Sequence, residues 1–305
     1  MATSYNKLWK RLVPLYDSDE AQAIVRLVLD SRFGMTLTDI ACGGVERLTW
    51  EETSGLETLV SRLEQGEPVQ YVLGEAWFCG RRFHVEPGVL IPRPETEQLC
   101  RLVIEGCKSP SPAILDVGTG SGCIAVTLAL DIPGAAVSAT DISGEALRIA
   151  RGNAETLKAC VSFFKQDILT EATTYSDGNS PSAIDGGASL SASGDKPQPS
   201  WRFDAIVSNP PYITVSEKDG MRGNVVDHEP SLALFVPDDD ALRFYRAIGR
   251  YAIRHLAPGG SLYFEINPLF ADELKAMLED MGFSSVTIIN DNFGKRRFAK
   301  GLRIG

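Results

Sequence analysis

The chain has 305 residues, of which 44% are hydrophobic and 23% are charged. This composition is typical of a globular protein that buries roughly three quarters of its unfolded surface, and it excludes disorder along the whole chain. The formal net charge of −10 argues against an extended, non-specific nucleic-acid surface, because such a surface needs clustered Lys and Arg.

The cysteines and histidines show no metal-binding pattern. No C-x-x-C pair occurs, and His84, His228 and His255 stand far apart, so no metal is expected. The segment from Met1 to Leu15 contains polar and basic residues and no sustained apolar run. Neither a signal peptide nor a membrane span is predicted, and the expected compartment is the cytoplasm.

The first part of the chain has the periodicity of helices. Apolar residues from Leu8 to Leu15 predict a first helix, and Ser18 begins a second. Thr38 is expected to cap a short turn, and Ser54 to Gln65 predicts a further helix. The sequence thus predicts a helical N-terminal domain at residues 1–73, in which no residue carries obvious chemistry.

Strand-like spacing at residues 74–94 predicts a β-hairpin that links this domain to a second one at residues 95–305. A helix is expected to follow, running to Gly106. Arg93 lies between two prolines at its entry. It is either a surface residue on a stiff linker or a charge aimed into a cleft, and the sequence leaves both readings open.

The second domain alternates strands and helices. Seven strands are predicted, at Ala113–Val117, Ala136–Asp141, Val161–Gln166, Phe203–Ser208, Ser261–Ile266, Ser284–Asn290 and Arg297–Arg303. This rhythm predicts an α/β fold with a largely parallel sheet covered by helices on both faces. Ligands of such folds bind at the carboxyl ends of the strands. A Ser-, Gly- and Asp-rich stretch at about 171–200 interrupts the rhythm and predicts a flexible insertion.

Asn209-Pro210-Pro211-Tyr212 follows the fourth of these strands. The prolines donate no N–H and stiffen the chain, so the Asn209 side-chain oxygen and the Pro210 carbonyl are expected to face a cleft. Each can accept one hydrogen of an NH2 group, while the rings of Pro211 and Tyr212 offer a flat wall. A plain β-turn is the alternative reading of Asn-Pro alone.

The loop Gly118-Thr119-Gly120-Ser121-Gly122 separates the first of these strands from a helix. Its spacing fits neither a P-loop nor the dinucleotide fingerprint, and it suits a ligand that lacks pyrophosphate. Asp141 ends the second strand and is expected to accept hydrogen bonds from ribose hydroxyls. Asp167, beside Ile168, follows the third strand and could accept from an adenine amino group.

With these motifs the chain resembles class I S-adenosylmethionine-dependent methyltransferases: Asp116 to Gly122 with Asp141 resembles their cofactor site, and Asn209 to Tyr212 their amide or amino-nitrogen methylating motif. A narrower resemblance is to the release factor glutamine methyltransferases, the HemK/PrmC family. It is carried by Pro68–Gly74, Ile91–Glu97 and Asp291-x-x-Gly294-x-x-Arg297, and it covers nearly the whole chain. The family pattern is interrupted here by the insertion at about 171–200, and Ile168 replaces an adenine neighbour that is aromatic in some relatives.

The resemblance implies a seven-stranded Rossmann-like sheet and N5-methylation of the glutamine in the Gly-Gly-Gln motif of peptide chain release factors. It implies Asn209, Pro210 and Tyr212 as catalytic residues, and the glycine loop, Asp141, Asp167, Ile168 and Asn209 as cofactor contacts. Substrate contacts would be the Asn209–Tyr212 stretch and Arg93. The release factor would be the partner of a monomer that binds neither nucleic acid nor membrane.

Two other functions use the same residues. An adenine-N6 DNA methyltransferase would need a flipped base and a basic recognition region, and the net charge of −10 argues against it. A non-catalytic binding module on the cofactor fold is the second alternative. An intact Asn209 and an intact glycine loop argue against that reading.

Overall fold

In the computed structural model, residues 3–170, 202–220 and 223–304 are described. The insertion predicted at about 171–200 lies outside these residues. Within them, no helix is both long and apolar enough to cross a bilayer.

The N-terminal part is built from five helices around one apolar cluster. Their bounds are α1 Tyr5–Leu12, α2 Ser18–Phe33, α3 Leu37–Ala41, α4 Trp50–Glu64 and α5 Val69–Leu73, with a short 3-10 turn at Val45–Arg47. Leu8, Leu12, Val25, Leu29, Leu56 and Leu63 fill the cluster. Helical spacing placed these residues inward, and that expectation is confirmed.

Two predicted helix starts were wrong because a better cap lies upstream. Thr36, not Thr38, caps α3, and its hydroxyl accepts from the Asp39 N–H at 3.2 Å while Asp39 bonds back to Thr36. Thr49 makes the same reciprocal capping box with Glu52, so α4 begins at Trp50 instead of Ser54. Each box satisfies amide donors that would otherwise lack partners at a helix start.

A two-stranded antiparallel hairpin follows, with β1 at Glu75–Phe78 and β2 at Arg81–His84. Helix α6 then runs from Pro94 to Gly106 with proline in its first turn, as predicted. Asn153 ties the hairpin to the α/β part of the chain. Its Oδ1 accepts from the His84 N–H, and its Nδ2 donates to the carbonyls of His84 and Ser121, each at 2.9 Å.

The main sheet has seven strands, which are β3 Ala113–Val117, β4 Ala136–Asp141, β5 Val161–Lys165, β6 Phe203–Ser208, β9 Leu256–Glu265, β10 Phe283–Asn290 and β11 Arg296–Arg303. Their order across the sheet is β10-β11-β9-β6-β3-β4-β5. Strands β5, β4, β3, β6 and β9 are parallel, and β11 and β10 are antiparallel additions. A small parallel pair, β7 Ile213–Thr214 with β8 Phe235–Val236, was not predicted.

Helices cover both faces of this sheet, so its strands are apolar on both sides. The other α-helices of the described residues are α7 Cys123–Asp131, α8 Gly144–Leu157, α9 Gly223–His228, α10 Ser231–Leu234, α11 Arg243–His255 and α12 Ala271–Asp280. Ile114 packs toward the cluster of α6 and α7, while its neighbour Leu115 packs toward the cluster of α11 and α12. The predicted fold, the seven-stranded class I methyltransferase sheet with an N-terminal helical region, is confirmed.

Candidate active site

The glycine loop joins β3 to α7 at the carboxyl edge of the sheet. Gly118, Gly120 and Gly122 all have positive φ, at 74°, 54° and 81°. A Cβ on Gly118 or Gly120 would meet nothing within 4 Å, whereas one on Gly122 would lie 3.0 Å from the Ala150 side chain. The first two glycines therefore present bare backbone to open space, and the third allows α7 to pack on α8.

Asp116 lies beneath this loop and is completely buried. Its Oδ2 accepts from the Thr119 hydroxyl at 2.7 Å and from the Ala125 N–H at 3.2 Å, which holds the loop against the start of α7. Its Oδ1 has no partner among the described residues. Burial raises the pKa of Asp116 to about 7, and the charge of Asp141 acts in the same direction against these two hydrogen bonds.

Asp141 ends β4 beside the loop. Its carboxylate accepts from the Gly120 N–H and from the Ser143 N–H, each at 2.9 Å. Burial raises the pKa of Asp141, and the backbone hydrogen bonds oppose that rise. Because each carboxylate oxygen has two lone pairs, Asp141 still has acceptor capacity toward the open side of the loop.

Asp167 and Ile168 follow β5 at the same sheet edge. Both oxygens of Asp167 are engaged locally, by the Leu169 N–H at 2.9 Å and the Thr170 hydroxyl at 2.8 Å. Ile168 is partly buried and packs against the same apolar cluster as Tyr212. The structure thus brings both residues to the predicted edge, with Asp167 oriented by its own turn.

Asn209 to Tyr212 follow β6, next to β3 in the sheet. The Asn209 Nδ2 donates to the Thr96 hydroxyl at 3.3 Å, and in the described part of the chain nothing donates to its Oδ1 or to the Pro210 carbonyl. The Tyr212 carbonyl accepts from Asn267 at 3.1 Å. These contacts immobilise the stretch and leave the two predicted acceptors available.

Two residues at the centre of this site were not recognised from the sequence. Glu265 ends β9 with 2% exposure, and its carboxylate accepts from Thr96 at 2.7 Å and from the Tyr212 hydroxyl at 3.2 Å. Thr96 is also 2% exposed. One signal for Glu265 was available: an acid at the end of a predicted apolar strand, in the same position as Asp141 on its own strand.

Arg93, the tentative substrate contact, is held by a buried acid. Its Nη2 lies 2.5 Å from the Glu229 carboxylate, whose side chain is 1% exposed and also accepts from the Ile91 N–H. The Arg93 side chain is 32% exposed. The ion pair gives Arg93 a structural role, and its contact with substrate stays a prediction.

Asp291 and Arg297, part of the motif that carried the family resemblance, shape the hairpin between β10 and β11. Asp291 accepts from the backbone of Phe293 and Lys295, and Arg297 lies 3.5 Å from its carboxylate. The Arg297 carbonyl accepts from the Ile266 N–H at 2.8 Å. The hairpin thereby brings a cation close to Glu265 and Tyr212.

These residues fit S-adenosylmethionine. Bare glycine backbone faces open space, acids follow two neighbouring strands where ribose and amino donors would lie, and an aliphatic side chain adjoins them. No lysine follows the loop to neutralise phosphate. The groups that line this site therefore suit a nucleoside with a neutral or cationic substituent better than they suit a nucleotide with its phosphates.

Comparison with known families and proteins agrees with this geometry. Residues 10–74 match the PrmC N-terminal domain, and residues 82–178 match the methyltransferase small domain. The release factor glutamine methyltransferase of Bacteroides thetaiotaomicron is 44% identical over 293 residues, which is 96% of each chain. Proteins of the same name from Flavobacterium psychrophilum and Chlorobaculum tepidum are 36% and 37% identical, over 95% and 90% of this chain and 94% and 87% of theirs.

Proposed function

This chain belongs to the release factor glutamine methyltransferases, and from that premise we propose that it methylates the N5 nitrogen of the glutamine in the Gly-Gly-Gln motif of a peptide chain release factor. It is an S-adenosylmethionine-dependent methyltransferase. One observation supports the proposed substrate most directly. The Asn209 Oδ1 and the Pro210 carbonyl are two neutral acceptors without donors in the described chain, on a stretch anchored by Thr96 and Asn267.

Two acceptors suit an amide substrate because a primary amide nitrogen carries two hydrogens. This nitrogen is a poor nucleophile, since its lone pair is delocalised into the carbonyl. Accepting both hydrogens orients the nitrogen and increases its electron density, and no proton need be removed before attack. Orientation of this kind lowers the activation barrier by roughly several kcal/mol.

When bound, S-adenosylmethionine supplies a methyl group already activated by a sulfonium. We infer that the backbone of Gly118 to Gly122 lies against it and that Asp141 accepts from the ribose hydroxyls. Asp167 and Ile168 would adjoin the adenine. The residues of this chain then exclude water and align the nitrogen, while Pro211 and the Tyr212 ring would flank the plane of the amide.

The remaining assignments rest on the family. We propose that residues 1–73 bind the release factor, that the hairpin at 74–94 connects the two domains, and that 95–305 carry out the transfer, with Arg93 at the substrate side. We further propose that the enzyme acts as a monomer in the cytoplasm, where release factors work, and that it does not bind nucleic acid directly.

Incubation with labelled S-adenosylmethionine tests this function. We expect label in a release factor, located by mass spectrometry on the glutamine of its Gly-Gly-Gln motif, and none in a release factor whose motif glutamine is replaced by alanine. Duplex DNA serves as the parallel substrate. Label in DNA alone would support the adenine-N6 alternative, and tight cofactor binding without transfer to either would support the binding module.

A further inference from the structure

A chain of hydrogen bonds runs from the buried interior to the proposed substrate amide site. The Tyr212 hydroxyl and the Thr96 hydroxyl both donate to Glu265, at 3.2 and 2.7 Å, and Thr96 accepts from the Asn209 Nδ2 at 3.3 Å. Its members come from three separate elements: the first turn of α6, the end of β9 and the loop after β6.

The donors and acceptors of this chain have one consistent direction. A threonine hydroxyl has a single proton, and an ionised carboxylate can only accept. Once Thr96 has donated its proton to Glu265, its oxygen can only accept from Asn209. The Asn209 group facing Thr96 must then be the NH2, and its oxygen must face away.

The surroundings of Glu265 bear on its charge. Burial raises the pKa of its carboxyl group, and the nearby Glu95 acts in the same direction. The hydrogen bonds from Thr96 and Tyr212 and the positive charge of Arg297 oppose that rise without cancelling it. The hydrogen bonds that give the chain its direction therefore also favour the ionised form that the direction requires.

We propose that Thr96 and Glu265 are positioning residues that select the orientation of the Asn209 side-chain amide, so that its oxygen faces the substrate nitrogen. An asparagine amide is nearly symmetric in shape, and a 180° rotation would replace the acceptor with a donor. A donor there would oppose the NH2 group of the substrate. This inference deepens the proposed function and rests on it for its kinetic consequence.

The kinetic test compares Thr96→Val with Thr96→Ser in single-turnover methylation of a release factor. Thr96→Val should slow transfer at least about tenfold with cofactor affinity changed less than about twofold, and Thr96→Ser should stay within about threefold of wild type. Thr127→Val is the matched control, because this buried threonine has a hydroxyl without a partner in the described chain. Equal rates for Thr96→Val and Thr127→Val would overturn the proposal.

Coupling to Asn209 separates a positioning role from a general structural one. If Thr96 acts through Asn209, Thr96→Val should change the residual rate of Asn209→Ala less than about twofold. The same slowing in both backgrounds would show that Thr96 acts in another way, and would overturn the proposal.

An NMR measurement that needs no turnover keeps this inference distinct from the proposed function. The side-chain NH2 resonances of Asn209 are assigned by their loss in Asn209→Ala. They should shift in Thr96→Val and lie near their wild-type positions in Thr96→Ser. Unchanged resonances in Thr96→Val would overturn the orientation network even if the release factor is methylated. Shifted resonances in a protein that does not methylate a release factor would support the network and contradict the proposed substrate.

Discussion

The Asp141 carboxylate accepts a hydrogen bond from the Gly120 N–H at 2.9 Å. The end of β4 thereby holds the middle of the loop that follows β3, so the residue proposed to bind ribose also shapes the backbone proposed to face the cofactor. Asp141→Ala should remove both the contact with the ribose and the hydrogen bond that shapes the loop. Hydrogen bonds to charged groups contribute roughly 1.5–3 kcal/mol each, so we expect cofactor affinity to fall at least about tenfold by calorimetric titration.

The matched control for Asp141 is Asp272→Ala, which removes a carboxylate with 79% side-chain exposure that pairs with Arg296. It should leave cofactor affinity unchanged. Unchanged affinity in a folded Asp141→Ala protein would contradict the assignment of Asp141 to the ribose.

Gly120→Ala tests whether the space above the loop is a ligand site. Gly120 has φ 54°, and Gly34 at the end of α2 has φ 62°; a Cβ on either would meet nothing within 4 Å. Both substitutions carry a similar backbone cost, about 1–2 kcal/mol. We expect similar losses in unfolding free energy, but weaker cofactor binding only for Gly120→Ala. Equal cofactor affinities in the two variants would show that the loop does not contact the ligand closely.

Asn209→Ala should impair transfer and spare cofactor binding, because it removes the predicted acceptor of one substrate hydrogen. A buried hydrogen bond lost in this way costs about 1–3 kcal/mol, and lost alignment adds to it, so single-turnover methylation should slow at least roughly a hundredfold. Asn209→Asp keeps an acceptor and the shape but adds negative charge. Near-normal transfer by Asn209→Ala would remove this residue from the mechanism.

Asp116 should make stability depend on pH. Burial raises its pKa to about 7, above the ordinary value of about 3.9 for an unfolded chain. Its contribution to stability is therefore complete below about pH 4 and is lost as pH rises toward 7. In denaturant titrations across this range, Asp116→Asn should gain stability relative to wild type as pH rises, and the difference should level off above about 7. A difference independent of pH would contradict the raised pKa.

Arg93→Ala leaves the Glu229 carboxylate buried without its cation. We expect a loss of about 3–5 kcal/mol in unfolding free energy, partly recovered in Arg93→Ala/Glu229→Gln, which removes the charge as well. Arg296→Ala breaks the exposed pair with Asp272 and should cost less than about 1 kcal/mol. An Arg93→Ala protein of wild-type stability with a raised KM for the release factor would instead identify Arg93 as a substrate contact.

The sequence by itself determined the elements and the candidate residues that follow strands. Strand periodicity located all seven strands of the main sheet, and Asp141 and Asn209 were readable because each directly follows an apolar run. The glycine loop was equally readable from local sequence, since glycine itself permits the positive φ that Gly118 and Gly120 adopt. Helix starts were predicted less accurately. Thr36 and Thr38 are both acceptable caps by residue type, and so are Thr49 and Ser54.

Only the tertiary structure decided which residues meet. Thr96 and Glu265 are 169 positions apart, and their hydrogen bond exists because α6 packs across the sheet at the point where β9 ends. Likewise, Glu229 reaches Arg93 from 136 positions away. Spacing along the chain carries no information about such pairs. Parallel strands are joined by crossover connections, so the order of the strands in the sheet differs from their order in the sequence. The direction that we propose for the Asn209 amide depends on those long-range contacts, because an ionised Glu265 carboxylate can accept hydrogen bonds but cannot donate them.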